Sequence, residues 1–395
     1  MWRQPSGFWL LFVTDLIVRA GYQMAKSPVL PLLAASLGAN KVTIGAIVGV
    51  STLTGTVFKP FVGALSDRWG RKIWFFTALL LFAGFPFLYR FIETPDQLML
   101  LRIIHGSATA IFGPVTLAIV AELGRDNRAT RLGIYEMARG AGHMIGPAAA
   151  GLLLAVSDVS TVFTVVGLLS CAAMVPAVFV PFDSSTIEPV RRPSLPRQLA
   201  DGFRHAVGRA EIWGVGALEF AVYGSLYSLK AFLPIFALQA GYGVWAAGLF
   251  FTLQEGAHLL VRPVGGRTAD RHGATPAIAI GMLAIGSALI LLPYAPTATT
   301  LLILAVLVGV GQGFTFPATV SVISNTIAAD HIGLGLGVYG ALRNLGKVAG
   351  PVAIGALLEF LPAKLVFPGL GATALVICVA LAVGYVQRRR LRLGS

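Results

Sequence analysis

The chain has 395 residues, of which 56% are hydrophobic and 12% charged, and its mean hydropathy is +0.79. Soluble domains carry about 25% charged residues, so this composition excludes an ordinary water-soluble globule and points to a bilayer. The net charge of +13, from 30 Lys and Arg against 17 Asp and Glu, would suit a nucleic-acid binder only on a soluble face. The basic residues fall instead in short loops between apolar runs, which makes the charge a signal of topology and leaves no nucleic-acid role.

Crossing a ~30 Å hydrocarbon core takes about 20 apolar residues per helix. Runs of that length predict twelve spans. The first six are Gly7 to Leu33, Val42 to Val62, Ile73 to Phe91, Leu98 to Leu123, Leu132 to Val156 and Val162 to Val180. The second six are Ile212 to Leu238, Trp245 to Val264, Pro276 to Leu292, Leu301 to Ile323, Leu336 to Leu358 and Val366 to Val386. Between the two sets lies one long polar stretch, Phe182 to Glu211, with Pro189, Pro193, Pro196 and five arginines. It reads as a linker with an amphipathic helix near Leu199 to Val207 on the cytoplasmic face. The expected organisation is an all-α integral membrane protein: a six-helix bundle over 1–181, a linker over 182–211 and a second six-helix bundle over 212–395.

Tracing the loops puts Arg68, Arg71, Lys72, Arg125, Arg128, Arg131, the linker arginines, Arg262, Arg267, Arg271 and the tail arginines Arg388, Arg389, Arg390 and Arg392 on one side. The opposite loops hold only Lys41, Arg90 and Lys364. By the positive-inside rule both termini and the linker are cytoplasmic. The expected location is the plasma membrane, the inner membrane in a bacterium. Cys171 and Cys378 sit inside apolar runs and read as packing residues.

The chain is also a duplication. Lys59 to Lys72 (KPFVGALSDRWGRK) returns 203 positions later as Arg262 to Thr275 (RPVGGRTADRHGAT). In spans 1 and 7, Asp15 aligns with Glu219 and Lys26 with Lys230 at an offset of 204. Spans 5 and 11 pair Tyr135 with Tyr339, Arg139 with Arg343, Gly142 with Gly346, Gly146 with Gly350, Pro147 with Pro351 and Gly151 with Gly355. Parallel halves with a substrate site between them near the midplane are one known transporter plan.

These residues resemble the major facilitator superfamily over essentially the whole chain, and are most similar to its drug-efflux and small-solute exporter branches. The loop G-x-L-x-D-R-x-G-R-K at Gly63 to Lys72 is that superfamily's most specific signature; the second copy departs from it at Ala274 and Thr275. The resemblance implies a gate built from Gly63, Asp67, Arg68, Gly70 and Arg71 and from Gly266, Asp270 and Arg271, with Asp67 meeting the N-terminal end of span 11. Arg68 or Arg71 is expected to pair with Glu122, and Gly63 and Gly70 to let another helix approach. Arg102 with Gly106 resembles a second signature whose arginine is associated with proton coupling. Gly142, Gly146, Pro147 and Gly151 resemble an antiporter signature and are expected to form a bending, closely packed seam between the halves, with simple tight packing as the alternative. The same pattern recurs at Gly346, Gly350 and Pro351, which the duplication also explains.

Ionisable groups inside spans cost about 2.5 to 3.5 kcal/mol each on insertion scales, so each is a functional candidate. Glu255, three residues from His258, is the first choice for a proton carrier. Asp15 and Glu219 are further candidates for proton coupling; both lie in the cytoplasmic third, where a structural or gating role is favoured over substrate contact, and Asp15 and Arg19 are four apart and can pair. The groups expected to face a central cavity are Arg19, Tyr22, His105, His143, Tyr223, Tyr227, Phe314 and Lys347. Ordinary packing is the alternative for the aromatics and histidines, and snorkelling to the outer interface is the alternative for Lys26 and Lys230. Positive charge outweighs negative in this set, which favours an anionic or zwitterionic substrate.

The sequence holds no HExxH, GxSxG or nucleotide-binding loop. The reading is therefore a non-enzymatic, cofactor-free, metal-free monomer in the lipid bilayer: a secondary transporter exchanging protons for a small organic molecule by alternating access. An uptake symporter or facilitator for an organic anion is the alternative, and an intramembrane enzyme or sensor a distant one.

Overall fold

In hydrocarbon every backbone N–H and C=O must find a partner inside the protein, and a helix satisfies them within its own segment. The computed structural model of the chain describes residues 5–123, 128–182, 210–326 and 332–393. They form α1 (Pro5–Met24), α2 (Leu30–Ser36), α3 (Lys41–Trp69), α4 (Arg71–Leu88), α5 (Pro95–Leu123), α6 (Arg128–Leu154) and α7 (Val159–Val178). After the linker come α8 (Ala210–Gln239), α9 (Val244–His272), α10 (Ala274–Leu291), α11 (Ala298–Thr326), α12 (Ile332–Phe360) and α13 (Ala363–Leu393). No strand occurs among the described residues. The expected linker helix at Leu199 to Val207 and the linker arginines lie outside the described residues, as do the side chains of the tail arginines.

The first expected span is two helices. Ser27, at φ −143° and ψ 122°, is non-helical inside the turn Ala25–Val29. Pro28 accounts for this, because proline lacks an N–H and pushes the residue before it towards extended backbone. α1 with α2 is thus span 1, and α3 to α13 supply the other eleven. Nine described helices are each long and apolar enough to cross a membrane. The interrupted first span, α6 and α12 fall outside that set; α6 carries Glu136 and Arg139, and α12 carries Arg343 and Lys347. Bulky apolar side chains such as Ile73, Leu80, Leu260 and Val379 point outwards, as a lipid-facing surface requires.

The duplication is visible in the backbone. Gly38 (φ 80°) and Gly241 (φ 76°) end equivalent helices, and Gly70 (φ 86°) and Gly273 (φ 89°) occupy the equivalent tight loops. A 3₁₀ turn at Tyr89–Phe91 reappears at Leu292–Tyr294. All three pairs are 203 positions apart, so the repeat fixes turn geometry as well as side chains.

By contact the chain divides into two compact units, Met1–Arg191 with Lys230–Thr252, and Arg192–Leu229 with Leu253–Ser395. In the first unit α4 packs on α5 and α7, and α1 on α6 and α7. Its core includes Leu11, Phe75, Leu79, Phe112, Val115 and Tyr135. In the second unit α10 packs on α11 and α13, the same arrangement six spans later.

Candidate functional site

Close helix packing sets up a polar cluster in the first unit. A Cβ at Gly142 would stand 2.8 Å from Arg19 Cβ, and one at Gly146 would stand 2.6 Å from Ala20 O. These glycines therefore seat α6 directly on α1. Both glycines serve packing inside the first unit. The approach brings Tyr135 of α6 to Asp15 of α1, with Tyr135 Oη donating to Asp15 Oδ1 at 2.5 Å. Arg19 Nε donates to Asp15 Oδ2 at 2.7 Å. Asp15 is fully buried, and both of its oxygens are served.

A second cluster in this unit surrounds Arg102, only 1% exposed. Its Nη2 donates to Ser51 Oγ at 2.7 Å and to Tyr22 Oη at 3.5 Å, and its Nη1 donates to Tyr89 Oη at 3.3 Å. No carboxylate among the described residues lies within ion-pair distance of it. His105 Nδ1 is 3.1 Å from Tyr89 Oη, while Nε2 is buried without a partner. The rings of Tyr22, Phe82, Phe85 and Tyr89 surround that imidazole. Lys26 does not snorkel: it is 5% exposed, with Nζ 5.9 Å from the Tyr22 ring centroid.

The second unit repeats the acid cluster with a change of partners. Gly346 and Gly350 seat α12 on α8 at Phe220 and Gly224, as Gly142 and Gly146 seat α6 on α1. Glu219 of α8 is 1% exposed. Thr319 Oγ1 of α11 lies 2.8 Å from Glu219 Oε1 and 3.1 Å from Tyr339 Oη of α12. Oε2 of Glu219 is buried without a hydrogen-bond partner. Arg343 lies over the rings of Tyr223, Tyr339 and Phe316, and Lys347 over those of Tyr223 and Tyr227.

The other expected groups are distributed around this cluster. Glu255 Oε1 is 3.7 Å from His258 Nδ1 on α9. His143 Nδ1 is 2.8 Å from the Arg139 carbonyl. Phe314 packs its backbone against Gly265, while Phe316 carries the cation-facing ring, under Arg262 at 4.6 Å. Thr319, Ser51 and Tyr89 act as polar ligands without any charge or motif in the sequence to mark them. The repeat alone gives a signal for Thr319, which aligns with Thr116 at an offset of 203; in the fold Thr116 stands beside the Tyr135 hydroxyl.

At the loop signature Arg71, rather than Arg68, pairs with Glu122, and Arg71 Nη1 also donates to Ala118 O at 2.9 Å. Arg68 is exposed, and the Asp67 side chain lies outside the described residues. Nothing lies within 4 Å of a Cβ at Gly63 or Gly70; the positive φ of Gly70, and not close approach, is what requires glycine there. In the second copy Asp270 and Arg271 are exposed, and a Cβ at Gly266 would meet only Pro317, at 3.8 Å. The positions of Arg71 and Glu122 become Ala274 and Asn325 there, and both line an open cavity shared with Asp270 and Ser321. Pro147 and Pro351 lie within α6 and α12. Gly151 meets Gly248, and Thr252 Oγ1 donates to Met144 O at 2.7 Å.

A twice-repeated helical membrane protein with buried polar clusters inside each repeat is built as a multi-pass membrane transporter. The chain belongs to the Major Facilitator Superfamily, whose profile matches residues 11–255 and 245–394. It is 29% identical to the class G tetracycline resistance protein of Vibrio anguillarum, over 84% of this chain and 85% of that one. It is 26% identical to multidrug resistance protein 1 of Bacillus subtilis, over 92% of each. Its fold is similar to that of the nucleoside transporter NupG, with a TM-score of 0.81 at 13% identity over 95% of this chain and 98% of that one.

Proposed function

We propose that this transporter is a proton-coupled exporter of a small organic solute, with alternating access between the bundles at 1–181 and 212–395. The relatives named for tetracycline and multidrug resistance support export. One observation carries the proton: Glu219 is buried, one of its oxygens is held by Thr319, and the other has no donor. A proton on Oε2 makes the carboxyl neutral, and its loss leaves a charge that only the transporter's own cations or a substrate can balance. Asp15, already served by Arg19 and Tyr135, is assigned a structural role in the first bundle. Glu255 is the second acid of this half, and Tyr223 lies in the field of both Glu255 and Glu219. Lys347, Tyr223, Tyr227, Arg102, Tyr22 and His105 are assigned to the substrate path.

Everted membrane vesicles test the direction, with tetracycline as the probe. An exporter accumulates tetracycline when the vesicle interior is made acidic and loses it when a protonophore is added. Accumulation independent of the proton gradient would remove the coupling. A second reading, proton-coupled uptake of an organic anion, is favoured by the buried Arg102 guanidinium without a carboxylate partner. It predicts uptake by right-side-out vesicles instead.

A further inference from the structure

The two repeats differ in one instructive way. In the first unit four positions make two ion pairs, Asp15 with Arg19 at 2.7 Å and Glu136 with Arg139 at 3.5 Å. An offset of 204 carries these four to Glu219, Tyr223, Gly340 and Arg343. The second repeat thus keeps the acid of one pair and the base of the other, and replaces each of their partners by an uncharged residue. Among the described residues neither Glu219 nor Arg343 has an ion pair within 4 Å.

The two unmatched charges lie one tyrosine apart. Tyr339 and Arg343 are four residues apart on α12 and so share a face. Arg343 Cζ is 5.5 Å from the Tyr339 ring centroid, and Tyr339 Oη is 3.1 Å from the Thr319 hydroxyl that serves Glu219 Oε1. Aromatic faces alone hold the guanidinium, with Tyr223 at 5.4 Å and Phe316 at 5.9 Å as the other two. Arg343 Nε is buried without an acceptor, and Glu219 Oε2 is buried without a donor. Each lies in the other's electrostatic field, and orphaned groups of opposite kind so placed identify each other as the missing partner.

We propose that Arg343 is the mobile counter-ion of Glu219. It rests on the aromatic faces while the carboxyl holds its proton, and it swings onto Oε2 when that proton leaves for water. The step transfers one proton and converts a neutral carboxyl beside a cation into a carboxylate–guanidinium pair like Asp15–Arg19. This rests on Glu219 being the proton site. The other groups facing Glu219 are Thr319 from α11, Tyr223 from α8, and Tyr339 and Lys347 from α12, with Glu255 of α9 acting through Tyr223. Lys347 donates to Asn344 Oδ1 at 3.1 Å, whereas Arg343 Nε has no acceptor, which makes Arg343 the cation with a donor to offer.

The experiment is infrared difference spectroscopy on the full-length protein in lipid nanodiscs. The protonated-carboxyl band of Glu219, assigned by its absence in Glu219→Gln, is followed across roughly pH 4 to 10. Arg343→Gln is expected to raise the pH at which the band is half lost by about 1 to 3 units, and Arg343→Lys by less. Adding Tyr223→Arg to Arg343→Gln recreates the Asp15–Arg19 spacing and is expected to bring the midpoint down again. If the wild-type band titrates and Arg343→Gln leaves its midpoint unmoved, Arg343 is not the counter-ion and the proton site stands. If no Glu219 band titrates in the wild type, the proton site itself is wrong and this inference falls with it. Should Arg343→Gln not fold, Arg343→Lys decides: a raised midpoint supports Arg343 as the counter-ion, and an unmoved one contradicts it.

Discussion

Tyr135 and Asp15, 120 residues apart in sequence, share a buried hydrogen bond of 2.5 Å that ties α6 to α1. Tyr135→Phe leaves Asp15 Oδ1 without its donor, and an unsatisfied buried group costs about 1 to 3 kcal/mol. The purified variant is expected to melt at a lower temperature than wild type. Tyr339→Phe is expected to lose less, because Thr319 still serves Glu219.

Glycines in the two signatures differ in what they do. Gly146→Ala places a Cβ against the backbone Ala20 O and against Gln23 Cβ, both 2.6 Å away. Overpacking of this kind costs about 1 to 3 kcal/mol. Gly63→Ala enters open space and is expected to change stability by less than about 0.5 kcal/mol. Thermal unfolding in detergent compares the two.

The Arg71–Glu122 clamp has no charged equivalent in the second repeat, where Ala274 and Asn325 stand. Ala274→Arg with Asn325→Glu would build one. A double-mutant cycle is expected to give a coupling of about 0.2 to 1 kcal/mol, the range for partly exposed pairs. Zero coupling would show that the two loops do not share the same geometry.

Asp158 caps α7 by accepting from the Thr161 amide at 2.7 Å, and that bond holds its carboxyl below the ordinary aspartate range. The lowered group contributes stability above its unfolded pKa, and loses that contribution as the pH falls through its folded pKa. Asp158→Asn keeps a side-chain acceptor without the charge. The variant is therefore expected to be less stable than wild type near neutrality, to converge with it as the pH falls, and so to show a flatter acid limb, as measured by thermal unfolding across an acid series.

Much of this architecture is legible in the residues themselves. Apolar run length gives the spans, and the 203-residue repeat of Gly38, Gly70 and Pro60 announces equivalent turns before any coordinates are known. The break at Ser27 is signalled only by Pro28, because the flanking run stays apolar on both sides and reads as one span. The pairing of Asp15 with Arg19 follows from i,i+4 spacing on one helix. The ligands of Glu219 do not, since Thr319 and Tyr339 come from two other helices and only packing brings them together. Helical spacing drew attention to Glu255 through His258. The burial and the unserved oxygen that single out Glu219 are properties of the packed bundle.

The most direct measurement uses the wild type, Glu219→Gln and Glu255→Gln, each reconstituted in liposomes with a trapped pH dye and driven by a tetracycline gradient. The wild type is expected to move protons against tetracycline. Glu219→Gln is expected to pass tetracycline down its gradient without proton movement, and Glu255→Gln to retain coupling. Proton movement at the wild-type ratio in Glu219→Gln would contradict the assignment of the proton to this carboxyl.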